Sequence, residues 1–243
     1  MASIDLNADV GESYGRWTLG DDIALMPHIT SANVACGFHA GDPTTLRRTV
    51  AQASSLGVAV GAQVGYHDLR GFGRRAVTIE AEDLEADVLY QLAALDGLAR
   101  AAGTRVTYLK PHGALYHRTL VDPEQAAAVI AAIGAFGVAL PVMTMTPGVL
   151  ADLALAAGLT VIREGFADRA YGTDGRLVPR TQEGAMLHDI DAMVAQAIRL
   201  AESRLVDSVC LHGDTPGAAG NAAAVRRGLA SAGIDVRPAH DVG

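Results

Sequence analysis

A chain of 243 residues, half of them hydrophobic, can bury a sizeable core and fits one α/β barrel as readily as two small domains, with a single domain over 1–243 as the default. A formal net charge of -8 removes the electrostatic reason to bind nucleic acid or an anionic membrane. Two cysteines, Cys36 and Cys210, are too few for a disulfide framework and suit a reducing compartment, and Asp5 and Asp9 interrupt the segment where an export signal needs an apolar run, so the expected location is cytoplasmic.

The run Asp5-Leu6-Asn7-Ala8-Asp9-Val10-Gly11-Glu12 predicts a first strand over 3–9, and a second over 29–35 leads into Asn33-Val34-Ala35-Cys36-Gly37-Phe38-His39-Ala40-Gly41-Asp42-Pro43. There Asp42 is a plausible N-cap and Pro43 suits the first helical position, so His39 falls in the turn before a helix over 43–55. Gly57 closes that helix ahead of a strand over 58–63. A long helix over 79–101 follows, with Glu80, Glu82, Asp83 and Glu85 favouring its N-terminal dipole and Leu84, Val88, Leu92 and Leu95 at helical spacing. After Gly103 come a strand over 105–110, a helix over 123–134, a strand over 138–144 and a helix over 147–157. Gly158 then precedes a strand over 159–164, a helix over 187–203, a strand over 206–211 and a helix over 217–231, with a short run over 234–237 after Gly233. Gln125 to Ala151 carries no charge, but Gly134, Gly137, Pro141 and Pro147 divide it into pieces too short to span a membrane.

Helices that stop at glycine and hand over to continuous apolar strands are the pattern of a parallel β/α fold. Seven such strands in succession, with a short eighth, favour a single closed, TIM-like α/β barrel over an open sheet. The long irregular connections 66–78 and 166–183 are expected to cover substrate.

In a parallel barrel the C-terminal strand ends converge on one face. Those ends carry Asn7, Asp9 and Glu12, then Asn33, His39 and Asp42, then Gln63 and His67, and further on Lys110, His112, Glu164, His212 and Asp214. Asp9 suits a hard cation or general-base work, although a loop hydrogen bond would also explain it; capping fully explains Asp42. His39 reads as a metal ligand, an acid/base group or a donor to a carbonyl, and the histidines at two further strand ends strengthen that reading. No HExxH, CxxC or HxxxH spacing supports a zinc site. Lys110, before a proline that ends strand pairing, suits polarising a carbonyl or holding an anion. Arg74, Arg75 and Arg169 are explained as well by surface ion pairs, and both cysteines by packing. There is no GxxxxGK[ST] loop and no GxGxxG after the first strand, so any nucleotide site is of another kind.

Asp5 to Glu12, Asn33 to Pro43, Gly71-Phe72-Gly73-Arg74-Arg75, Lys110 to Tyr116, Phe166-Ala167-Asp168-Arg169-Ala170-Tyr171 and Cys210 to Pro216 together resemble the LamB/YcsF family nearly end to end. The resemblance implies a seven-stranded β/α barrel akin to glycoside hydrolases and polysaccharide deacetylases. It also implies ATP-dependent opening of 5-oxo-L-proline to L-glutamate, with ATP as co-substrate, Mg2+, and 5-oxoprolinase subunits B and C as partners. Whether copies of the chain also assemble with one another is open. Under this resemblance Asp9, Glu12, His39, Lys110 and His112 form the catalytic set, and Asp9, His39 and His112 are the candidate metal ligands. Asn7, Asn33, Gln63 and Arg74, with Asp168, Arg169, His212 and Asp214, form the substrate-binding set. The family pattern Gly-Ala-His-Pro-Gly-Tyr-Pro-Asp becomes Gly61-Ala62-Gln63-Val64-Gly65-Tyr66-His67-Asp68 here, which replaces one histidine by Gln63 and raises His67 as a substitute. Two rival readings are a stand-alone divalent-metal-dependent deacetylase or amidohydrolase and a non-catalytic binder of small lactams.

Overall fold

The alternation of apolar runs and glycine-ended helices resolves, in a computed structural model describing residues 2–173, 175–215 and 217–239, into seven parallel strands that close on themselves. They are β1 (Ser3–Val10), β2 (Ser31–Ala35), β3 (Ala59–Val64), β4 (Val106–Pro111), β5 (Val142–Thr144), β6 (Val161–Phe166) and β7 (Ser208–Leu211). Each pairs with the next, and β7 returns to β1. The short eighth run, β8 (Asp235–Val236), stays outside the ring against Ser3 and Ile4. Pro216 in the last of the family stretches and Asp174 in the second long connection lie outside the described residues, as do Met1 and His240 to Gly243.

Around the ring stand α1 (Asp22–Leu25), α2 (Pro43–Leu56), α3 (Ala81–Ala101), α4 (Gly113–Thr119), α5 (Pro123–Phe136), α6 (Val149–Ala156), α7 (Ile190–Ser203) and α8 (Ala218–Ser231). Gly57, Gly103, Gly158 and Gly233 all take left-handed φ values between 67° and 78°, which turns the chain from each helix toward its next strand. Asp42 caps α2 through the Thr44 and Thr45 amides. The short α1 and α4 escape a periodicity reading because neither is long enough to repeat a face. β5 covers only the last three residues of the expected 138–144 run, because Pro141 has no N–H to give the ladder. β6 starts two residues late, since the Leu159 amide is still bonded to the Ala154 carbonyl at the end of α6.

Strand alternation then separates two interiors. Ile4, Leu6, Ala8 and Val10 point outward into the main core beneath the helices, while Asp5, Asn7 and Asp9 point into the barrel. The lumen is floored by Ala59, Tyr108, Met143 and Ile162 and is polar above them. Gly61 makes room for that floor, because a Cβ there would sit 2.1 Å from the Tyr108 ring. Gly61→Ala is therefore expected to destabilise the fold by about 1–3 kcal/mol through overpacking. A urea midpoint equal to the parent's would show that Tyr108 is not held in that slot. Among the described residues no single helix is long and apolar enough to cross a membrane.

Candidate functional site

The lumen is built in layers from the strand faces. Lowest is Asp5, whose carboxylate accepts the hydroxyls of Thr30 and Ser31, each at 2.6 Å, and that of Ser208. Burial pushes its carboxyl above the ordinary range despite these donors. Above it Asn7 donates to Ser208 (2.6 Å), and Asn33 donates to Asn7 (2.7 Å) and to Asp9 (2.8 Å) while accepting the Tyr108 hydroxyl (2.7 Å). Asn7 and Asn33, expected among the substrate ligands, spend their amides on this scaffold and do not line the cavity above.

Lys110 crosses the lumen from β4 to strands with which β4 does not pair. Its ammonium lies 2.6 Å from Glu164 Oε1 on β6, and 3.3 Å each from Asp9 Oδ1 and Asn7 Oδ1 on β1 and Cys210 Sγ on β7. Tyr116 on α4 donates to the other oxygen of Glu164 at 2.8 Å. Burial opposes charge on both partners, yet the outcome is an ion pair. The Lys110 ammonium is raised well above its usual value by Asp9, Cys210 and Glu164, and the Asp9 carboxyl is pulled below the carboxylate range by Lys110, then His212 and His112.

Over this pair opens a cavity of about 470 Å³ lined by Asp9, Gln63, Lys110, His112, Tyr116, His117, Phe166 and His212, with Arg74, Arg169 and Arg180 on its walls. Both irregular connections contribute. The first carries Arg74, which pairs with Asp214 at 2.6 Å, and the Phe72 carbonyl, 3.0 Å from His112 Nε2. The second folds back on itself through Ala170 to Ala185 and Leu187 to Asp168 and brings in Leu177, Pro179, Arg180 and Thr181. Arg169 ties this loop together by donating to the Val178 carbonyl (2.7 Å) and, at 3.4 Å, to that of Ala185. Burial, and then the Arg180 charge, hold its guanidinium below its ordinary value. Asp168 faces His212 and not the cavity: its carboxylate accepts the His212 backbone amide (3.0 Å) and lies 2.8 Å from Nδ1. Although burial pushes the Asp168 carboxyl up, His212 brings it below the usual range. The Nδ1 proton is thereby fixed and Nε2 is left as the proton acceptor.

Glu12 and His39 line a second cavity, of about 520 Å³, rimmed by Tyr14, Trp17, Leu69 and Phe72. The Gly11 left-handed turn (φ 71°) separates Glu12 from the β1 face that carries Asp9. The two cavities are divided by the His39 and His112 rings, stacked 3.9 Å apart at 11°. Burial pulls His39 down to about 4 and His112 well below the usual imidazole value, so both are neutral at pH 7. The metal expectation from the sequence is Asp9, His39 and His112. Among the described residues the donors within 4.8 Å of one another are Glu12, His39 and His112, while Asp9 gives its Oδ1 to Asn33 and Lys110. A metal bonds an imidazole nitrogen near the ring plane at about 2.1 Å, and one ion cannot lie in two parallel stacked planes, so these rings as arranged do not fit a shared ion. Mg2+ fits less well still, since it takes oxygen ligands. His67 does not replace the missing histidine: it is exposed and stacks on Phe38 at 4.6 Å, while Gln63 meets His39 Nε2 at 3.2 Å.

Burial, then Asp9 and Asp214, push the Glu12 carboxyl well above its usual range. A raised folded-state value means that the fold binds this proton more tightly than the unfolded chain does, so the stabilisation is present at low pH and is lost as pH rises through that value. Glu12→Gln, which fixes the uncharged form, is expected to be more stable than the parent near pH 7, with the advantage disappearing by about pH 4. Parallel stability profiles in that window would refute the assignment.

Residues absent from the sequence expectation are Tyr116, His117 and Arg180. The first two sit on α4, where Tyr116 follows His112 at i+4, a signal visible once a helix is known to start there. Arg180 lies in an irregular loop and carries no such signal.

Comparison with known proteins gives concordant results. The model of the LamB/YcsF family matches residues 4–243. The A subunit of 5-oxoprolinase from Streptomyces coelicolor is 51% identical, covering 96% of this chain and 98% of that protein. Its counterpart of the same name from Mycolicibacterium gilvum is 50% identical with the same coverage. The crystal structure of a lactam utilization protein from Thermus thermophilus superposes with a TM-score of 0.92 at 40% identity, covering 97% of this chain and 99% of that one.

Proposed function

The chain belongs to the LamB/YcsF family, and from that premise we propose that it is the lactam-opening component of a multi-subunit 5-oxoprolinase, converting 5-oxo-L-proline to L-glutamate together with partner subunits B and C. The observation that carries this reading is a buried ammonium, Lys110, held by Asp9 and Glu164 at the bottom of a cavity whose wall presents His212 oriented by Asp168.

Hydrolysis of a lactam adds water across the C–N bond, and it needs a cation for the carbonyl oxygen and a group that takes one proton and returns it. Lys110 faces the developing oxyanion in a site shielded from water, where such stabilisation is largest. His212 Nε2 takes a proton from the attacking water as the oxygen bonds to the ring carbonyl carbon. The same nitrogen returns it to the ring nitrogen as the C–N bond breaks, and Asp168 holds the imidazolium in between. Asp9 keeps Lys110 charged and in place, so its role is positioning.

ATP and Mg2+ belong, on this reading, to the complex. Phosphorylating the oxygen of a stable amide makes a better electrophile, with the phosphorylated oxygen then meeting Lys110 and phosphate leaving after water has added to the ring carbon, and this chain lacks the glycine-rich GxxxxGK[ST] loop that would cradle a triphosphate. No step on this chain is assigned to either. Dependence on ATP also suits a cytoplasmic location.

Reconstitution tests the proposal. The chain with both partner subunits, ATP and 5-oxoproline is expected to release glutamate and ADP, and neither the chain alone nor the partners alone should do so. Glutamate release by the partners alone, or none from the full set, would overturn it.

A further inference from the structure

The charges on the cavity wall do not all have partners. Lys110 is offset by Asp9 and Glu164, Arg74 by Asp214, and Arg169 spends its donors on two loop carbonyls. Arg180 lines the same cavity, and among the described residues no carboxylate lies within ion-pair distance of it and no hydrogen bond engages its guanidinium. Arg169 and Arg74 repel it, and Asp214, Asp168 and Asp9 attract it only from beyond ion-pair distance. Among the described residues, Arg180 is thus the one arginine lining the cavity with neither an ion pair nor a hydrogen bond.

We propose that Arg180 forms the carboxylate subsite of this cavity and selects small lactams that bear an α-carboxylate over those that do not. This rests on the lactam-opening reading and adds to it the group that recognises the substrate. A guanidinium presents two parallel N–H donors that match a carboxylate bidentately, and Arg180 offers them from the exposed rim of the cavity. The division of labour follows from position: Lys110 at the bottom meets the carbonyl oxygen, and Arg180 on the loop after β6 holds the opposite end of a ligand small enough for about 470 Å³. The subsite also explains why the loop is tied down by a buried arginine, because a recognition group on an unanchored loop would lose its bond to loop entropy.

The test uses the full complex and Arg180→Met beside Arg180→Lys. With 5-oxoproline, Arg180→Met is expected to raise KM roughly ten- to hundred-fold with a smaller change in kcat, and Arg180→Lys to recover part of the loss. With 2-pyrrolidinone, the same ring without its carboxylate, parent and variant should give equally slow rates. An unchanged KM for 5-oxoproline in Arg180→Met, with the parent active, would overturn the subsite and leave the lactam-opening reading standing. Calorimetric binding of 5-oxoproline, 2-pyrrolidinone and inorganic phosphate to the chain alone reads the subsite independently of turnover. Preference for 5-oxoproline over 2-pyrrolidinone that vanishes in Arg180→Met supports it even if the complex proves inert. Absence of that preference in the parent chain, or loss in the variant of phosphate binding alone, overturns it.

Discussion

Lys110→Met is expected to lower glutamate formation by the reconstituted complex on the order of 10³-fold and to cost about 3–5 kcal/mol of folding stability. Both effects come from one arrangement. The ammonium is the only positive group within 4 Å of Asp9 and Glu164 among the described residues, and removing it leaves two buried carboxylates facing each other. The chain would then take up protons there, because a buried carboxylate without a cation is costlier than a neutral acid. The acid limb of the stability profile should change with it. A carboxyl held below its unfolded value, as Asp9 is by Lys110, contributes stability that is complete above the ordinary carboxylate range and is lost as pH falls through the folded-state value. In Lys110→Met that loss on acidification should shrink. Lys110→Met/Glu164→Gln separates folding from chemistry: it should recover part of the stability and none of the activity. Recovery of both would reduce Lys110 to a structural charge, and a single variant with parental kcat would remove it from the mechanism.

How far the site can be read from sequence depends on whether a residue sits on a strand or in a loop. Asp9 and Lys110 stand on strands, where alternation fixes direction and an apolar run makes a charge conspicuous, and both expectations of a lumen-facing strand end agree with the described geometry. Depth is less legible. Asn7 and Asn33 share the inward face, but they lie lower in the barrel, and only the Asp5, Ser208 and Tyr108 contacts reveal that they support the floor of the site. Glu12 shows the opposite limit: three residues after Asp9, a left-handed glycine separates it from the strand face and it lines a different cavity. Asp168 enters the expectation only through the family stretch Phe166 to Tyr171 and Arg180 not at all, because both lie on a loop whose path is set by tertiary hydrogen bonds. The barrel itself was legible because glycine caps and apolar runs are local signals repeated along the chain, and each repeat reinforces the others.

Asp168→Asn is expected to lower kcat of the reconstituted enzyme by about 10³- to 10⁴-fold while leaving KM for 5-oxoproline near the parent value. The Asp168 carboxylate does not line the cavity. It accepts both the backbone amide and the Nδ1 proton of His212, which keeps Nε2 free to accept a proton and stabilises the imidazolium once it has done so. An asparagine oriented to keep the backbone bond turns its NH2 group toward Nδ1, favouring the tautomer with the proton on Nε2, which cannot take one from water. Binding should be spared because, on the proposed reading, it rests on Lys110 and Arg180, so the loss belongs to the chemical step. His212→Gln should match Asp168→Asn, and the double variant should be little worse than either, since two groups acting as one unit are lost together. Unfolding free energies from urea titration within about 1–2 kcal/mol of the parent would confirm that each variant is folded. Multiplicative losses in the double variant would mean that Asp168 and His212 act separately, and near-parental kcat in either single variant would require a different proton acceptor for the attacking water.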